Sequence, residues 1–265
     1  MKSHFEIEVC VDSIEAAIEA ERGKADRIEL CSALIEGGIT PSMALISMAK
    51  QKLNIPIMVM IRPRAGDFCY SDLEFELMKK DISYCKDIGI DGVVFGILTP
   101  EGEIDKERTK ELVLIAYPMK VCFHRAIDMT RDYFQAFVDI MQCKVDRVLT
   151  SGGENKAIDG AFRIAKIIEI AKLEKERKSS NKDKTNPIEI MVGSGVNPDN
   201  AEEIYNKTKA THYHFSAKTE KESLMRYRNN AVSMGGLQPE LEYKIASVCA
   251  EKVLKLRETL NKLFL

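Results

Sequence analysis

Eight short runs rich in Val, Ile and Met recur along the 265 residues, and most are followed by a stretch whose apolar positions repeat at helical spacing. The runs lie near Phe5 to Val11, Asp26 to Cys31, Pro56 to Arg62, Gly92 to Ile97, Lys120 to His124, Asp146 to Thr150, Ile188 to Val192 and Thr211 to Phe215. Strands alternating with helices build a parallel sheet, because each strand must be reached by a crossover that packs back on the sheet. Eight such units predict an α/β chain folded as a single TIM-type (β/α)8 barrel over residues 1–265, with an open doubly wound sheet as the alternative. Ser13, Thr40, Ser71, Asp105, Thr130 and Asn197 stand where helix N-caps are expected.

Two stretches depart from the rhythm. Residues 172–186 are dense in Lys, Glu, Ser and Asn and read as a flexible charged insertion on the face away from the strand C-termini. After the eighth run an irregular segment reaches Gly236, and a C-terminal helix is expected over 239–263. Hydrophobic residues make up 45% of the chain and charged ones 30%, which suits a protein with a packed core. The net charge of −2 gives no field to recruit nucleic acid or an anionic membrane, and the longest hydrophobic run, Leu112 to Tyr117, is far too short to span a bilayer. Without an apolar leader, and with seven cysteines and no CxxC pair, the expectation is a cytoplasmic protein with reduced thiols.

Strand alternation sorts side chains by face. Ile7, Val9 and Val11 share one face of the first strand and must meet helices, leaving Glu6, Glu8 and Cys10 facing the lumen. The second strand repeats this with Arg27, Glu29 and Cys31 inward. The same parity groups Met58, Met60 and Arg62 on the third strand, Glu189, Met191 and Gly193 on the seventh, and His212 with His214 on the eighth. A lumen holding several charges is costly unless they are paired, so it is either an internal ion network or a working site.

Barrel enzymes work at the C-terminal ends of their strands, so Glu8, Glu29, Arg62, His124 and Arg125 are the catalytic candidates. Glu8 and Glu29 are read as neighbours at one height, which predicts a raised carboxyl pKa on one of them. Cys10 and Cys31 are read as matched in height on adjacent strands, where two sulfurs could hold a soft ion such as Cu(I); the alternative is two buried core thiols. Gly193, Ser194 and Gly195 precede a helix start and are candidates for an anion or phosphate site, or for a simple turn. Ser151-Gly152-Gly153 is a weaker instance.

Glu8-Val9-Cys10-Val11-Asp12-Ser13, Arg27-Ile28-Glu29-Leu30-Cys31, Met60-Ile61-Arg62-Pro63-Arg64, Phe123-His124-Arg125-Ala126, Thr150-Ser151-Gly152-Gly153, Gly193-Ser194-Gly195-Val196 and Tyr227-Arg228-Asn229 through Met234-Gly235-Gly236 together resemble the CutC copper homeostasis family. The resemblance runs in order from the first strand to about Gly236. It implies a barrel, a cytoplasmic protein that self-associates as a homo-oligomer, and copper handling through Cu(I) bound by Cys10 and Cys31. The other reading of the same mouth is an enzyme acting on a phosphorylated or carboxylated small molecule, so the expected partner is a copper ion or a small anion.

Overall fold

The computed structural model of the protein describes residues 4–180, 187–229, 231–232, 234 and 239–264. Each expected run is a strand: β1 Glu6–Val11, β2 Arg27–Leu30, β3 Ile57–Met60, β4 Gly92–Phe95, β5 Lys120–Phe123, β6 Arg147–Thr150, β7 Glu189–Val192 and β8 His212–Phe215. They pair in parallel in chain order and β8 closes on β1, giving the expected (β/α)8 barrel. Most strand positions are buried because helices cover the outside and side chains fill the inside.

The helices are α1 Ile14–Arg22, α2 Met43–Lys52, α3 Asp72–Asp87, α4 Lys106–Ala116, α5 Tyr133–Gln142, α6 Ala161–Ser180, α7 Ala201–Thr208 and α8 Ala250–Phe264. Ser13, Ser71 and Asp105 cap as expected, Ser71 in a reciprocal capping box with Glu74. Three caps lie further on, at Ser42, Asp132 and Asn200 instead of Thr40, Thr130 and Asn197. The barrel strands are followed by short loops that the helical periodicity does not register.

Two boundaries differ from expectation. Helix α6 runs through Ser180, so the first nine residues of the charged 172–186 stretch are helical; Lys, Glu and Arg propagate a helix well, and Arg177 pairs with Glu174 one turn back. Residues 181–186 lie outside the described residues. The C-terminal helix expected over 239–263 begins only at Ala250. Pro239–Tyr243 is a 3-10 turn, and Lys244–Val248 is a strand, β10, pairing antiparallel with β9, Lys218–Glu222. Pro239 mimics a helix start, whereas the long-range pairing with β9 leaves no local mark.

Apolar packing divides into two bodies. The larger fills the space between sheet and helices and contains Ile7, Val9, Ile28 and Leu30. The smaller lies in the lumen and joins Cys31, Met58, Met60, Val94, Cys122, Leu149 and Met191. The parity assignments for β1, β2, β3 and β7 therefore hold. Among the described residues no helix is long and apolar enough to cross a membrane.

Candidate functional site at the barrel mouth

The lumen carries a column of charge built by strand register. Glu8 of β1 stands opposite Arg27 of β2 on one side and His214 of β8 on the other. Arg27 Nε donates to Glu8 Oε2 at 2.5 Å, and His214 Nδ1 lies 2.8 Å from Glu8 Oε1. Burial alone would raise the Glu8 carboxyl, but the two cations overcome it and hold the pKa at about 2. The column continues downward: Arg27 reaches Glu6 at 3.4 Å, and Arg147 joins Glu6 to Glu189.

Glu29 sits one layer above and behaves oppositely. Burial is the main influence and the charge of Glu8 adds to it, so its carboxyl is pushed up to about 7 despite His214 Nε2 at 3.8 Å. Its Oε1 is buried without a partner. One carboxyl is raised as expected, that of Glu29, but the two do not stand at one height: Glu8 is level with Arg27 and Glu29 with Cys10, and burial rather than repulsion is the main cause. The His214 pKa is raised well above its ordinary value: burial opposes the charge, but Cys10, Glu29 and Glu8 around it outweigh that penalty. Glu8, Glu29 and His214 bring donor atoms within 4.8 Å of one another.

The cysteines do not match in height. Register pairs Cys10 with Glu29, which places Cys31 two residues further along β2. Parity assigns a side chain to a face but leaves the stagger between neighbouring strands open, and in a barrel that stagger is obligatory. Cys10 lines the mouth cavity with its Sγ 3.9 Å from the Phe215 carbonyl. The Cys31 thiol is fully buried and donates to Glu29 Oε2 at 3.6 Å. Burial first, then the carboxylate of Glu29, drives the Cys31 thiol well above its ordinary pKa.

The mouth itself is a cavity of about 590 Å³ bordered by Cys10, Glu29, Arg62, His124, Arg125, Gly195 and His214, so most of the candidates converge there. Glu8 lies one layer beneath it, while Cys31, further along than Glu29, is fully buried and does not border it. His124 Nδ1 accepts from the Ala126 amide at 3.2 Å, which leaves the ring proton of the neutral form on Nε2, and that atom is buried without a partner. Burial, reinforced by the charges of Arg62 and Arg125, lowers the His124 pKa to about 3. Arg62 is 5% exposed and donates to the carbonyls of Glu36, Gly38 and Gly66 at 2.7, 3.0 and 2.7 Å.

Arg125 is occupied by structure: its Nε donates to Asp128 at 2.9 Å and its Nη2 to Ser151 Oγ at 2.9 Å. Asp128 is the residue sequence reasoning undervalued. Its carboxylate accepts from Thr150 Oγ1, the Ser151 amide and hydroxyl, and the Gly153 amide, at 2.6 to 3.0 Å. The glycine loop after β6 is thereby committed to Asp128, and its amides at 151 and 153 are not available to a ligand. Only the proximity of Asp128 to Arg125 in the chain hinted at this.

The loop after β7 differs. The Gly193 amide donates to the Thr150 carbonyl, and a Cβ at 193 would stand 2.5 Å from Leu149 Cδ1 and 3.2 Å from His214 Cβ, so this glycine provides clearance. Amides 197, 199 and 200 donate to the Asn197 and Asn200 side chains, so the helix start expected to bind an anion is internally satisfied. Ser194, Gly195 and Val196 line the cavity, and among the described residues their amides have no acceptor. At the opposite end of the barrel a second cavity of about 660 Å³ is bordered by Glu6, Arg27, Arg147 and Glu189, which largely pair with one another.

A closed (β/α)8 barrel with a charged lumen and a polar mouth at its strand C-termini defines the class of this protein. The CutC family model matches residues 5–219. A copper homeostasis protein cutC homolog of Homo sapiens is 45% identical over 249 residues, spanning 94% of this chain and 86% of the relative. The homolog of that name from Dictyostelium discoideum is 40% identical, over 94% of this chain and 95% of its own. The crystal structure of the copper homeostasis protein CutC from Streptococcus agalactiae superposes with a TM-score of 0.71 at 31% identity, covering 80% of this chain and 98% of that one. The chain belongs to the CutC family. A thiamine phosphate pyrophosphorylase from Pyrococcus furiosus, 14% identical with a TM-score of 0.55, shares the fold alone.

Proposed function

We propose that the protein acts in copper homeostasis, the role carried in the names of its relatives, and that it binds Cu(I) at the mouth through Cys10 and Cys31. The observation that carries this reading is the Cys31 thiol resting on Glu29 while Cys10 stands opposite Glu29 across the strand pair. Thiolate, not thiol, ligates a soft ion, so the ion must displace a proton from Cys31, and the adjacent carboxylate is there to receive it. Met58, Met60 and Met191 add soft thioethers to the same lumen. In competition with a Cu(I) chelator, Cys10→Ala/Cys31→Ala is expected to lose the tightly bound equivalent that the wild type retains. If the double variant keeps wild-type affinity and stoichiometry, these two cysteines are not the ligands.

A second reading, an enzyme acting on a phosphorylated or carboxylated small molecule, is favoured by Glu29. A buried carboxyl held at about 7 is matched to give or take a proton near neutral pH. Glu8, fixed as an anion by Arg27 and His214, would set the field rather than exchange protons. Thermal-shift measurements against phosphorylated and carboxylated metabolites are expected to find compounds that stabilise the protein and are then turned over, Glu29→Gln abolishing turnover. A panel in which no compound stabilises the protein contradicts this reading.

A further inference from the structure

Buried polar atoms in folded proteins are nearly always hydrogen-bonded, so each exception calls for an explanation. Among the described residues six buried side-chain atoms have no partner, and three of them, Glu29 Oε1, Arg62 Nε and His124 Nε2, belong to residues bordering the mouth cavity. Two of these three are hydrogen-bond donors, just beyond the ends of β3 and β5.

Arg62 is a buried cation that donates to three carbonyl oxygens and has the Tyr70 hydroxyl close by, and among the described residues no carboxylate forms an ion pair with it. An uncompensated buried charge is costly, and carbonyl dipoles offset only part of that cost. Every other guanidinium of the lumen and mouth, at Arg27, Arg125 and Arg147, has a carboxylate. The side chain is nonetheless rigidly aimed: three carbonyls hold its fork, and Phe68 stacks on it at 5.0 Å. The same Phe68 ring packs on His124 at 4.9 Å, so one aromatic platform positions both donors. Ser194, Gly195 and Val196 also line the cavity, and among the described residues their amides have no acceptor.

We propose that Arg62 and His124 form the receptor for an oxyanion, the carboxylate or phosphate group of a small molecule, with the unclaimed amides of 194–196 as further donors. The bound anion supplies the counter-charge that Arg62 lacks and the acceptor that His124 Nε2 lacks. Because His124 stays neutral, it binds as a directed donor and does not compete with Arg62 for charge. This deepens the enzyme reading by naming where the anionic group docks, and it requires neither cysteine.

Calorimetric titration and thermal shift of the intact protein with inorganic phosphate and with oxalate separate the two oxyanion geometries. At least one is expected to bind saturably, with a dissociation constant below ~1 mM, the range of ordinary metabolite affinities. His124→Asn retains a side-chain oxygen for the Ala126 amide but loses the Nε2 donor. It is expected to fold and to weaken that binding about tenfold, the worth of one hydrogen bond to a charged group. Arg62→Lys keeps the charge without the fork and should weaken binding as well. Absence of saturable binding by either probe, or binding that His124→Asn and Arg62→Lys leave undiminished, overturns the site. Oxyanion binding through these residues with no metabolite turned over would remove the enzyme reading and leave this one standing.

Discussion

Glu8→Gln should destabilise the protein strongly, by about 3–5 kcal/mol at pH 7, whereas Glu29→Gln should be neutral or stabilising there. The two carboxyls are both buried and lie on adjacent strands, yet they differ in counter-charge. Glu8 bridges Arg27 and His214, so removing its charge strands two buried cations. With a folded pKa of about 2 against an ordinary 4.5, Glu8 contributes stability that is fully present above pH 4.5 and is lost as pH falls toward 2. Glu29 has the opposite sign. Its folded pKa of about 7 means its contribution is full below pH 4.5 and is lost as pH rises to 7. The stability of Glu29→Gln relative to wild type should therefore climb by roughly 3 kcal/mol across that window. Thermal melts of both variants at pH 4.5 and pH 8 test this, and equal destabilisation by both would mean that the carboxyls act as one salt-bridged unit.

Asp128→Ala should be the most damaging change at the mouth. The carboxylate is 5% exposed and joins the turn after β5 to the loop after β6 through Arg125, Thr150, Ser151 and Gly153. Thr150 can fall back on Tyr133, 2.9 Å away, but among the described residues the Ser151 and Gly153 amides have no second acceptor. Losing a buried anion together with two amide partners should cost on the order of 3–5 kcal/mol. In a chain of this size that corresponds to a fall of about 10 °C in melting temperature. Asp128→Asn should recover little, because its amide group would turn donors toward donors. A melting temperature within about 2 °C of wild type for Asp128→Ala would show that water replaces the carboxylate.

Legibility in the sequence followed the range of the interactions involved. Strand positions were readable because fully buried parallel strands must be apolar toward the helices, and Ile7, Val9, Ile28 and Leu30 obey that rule. Lumen-facing Glu8, Glu29 and His214 followed from period-two alternation alone. What alternation cannot supply is register, so Cys10 and Cys31 were read as level when Cys10 is level with Glu29. Asp128 was obscure for a related reason, since its partners stand 22 to 25 residues away in the chain. The late start of α8 has the same origin: Ile245 to Val248 are β-strand because Lys218 to Lys221 lie beside them.

The β9–β10 ribbon lies outside the closed barrel and so reintroduces the open strand edges that barrel closure had removed. Its β9 member reads Lys218-Thr219-Glu220-Lys221-Glu222 and is largely exposed. A foreign strand approaching that edge would have to strip water from charges of alternating sign before making its first backbone hydrogen bond. The ribbon can therefore extend from the barrel without serving as a template for aggregation. Replacing Lys221 and Glu222 by Val and Thr would leave the barrel intact and convert this edge into a nucleus for intermolecular sheet growth.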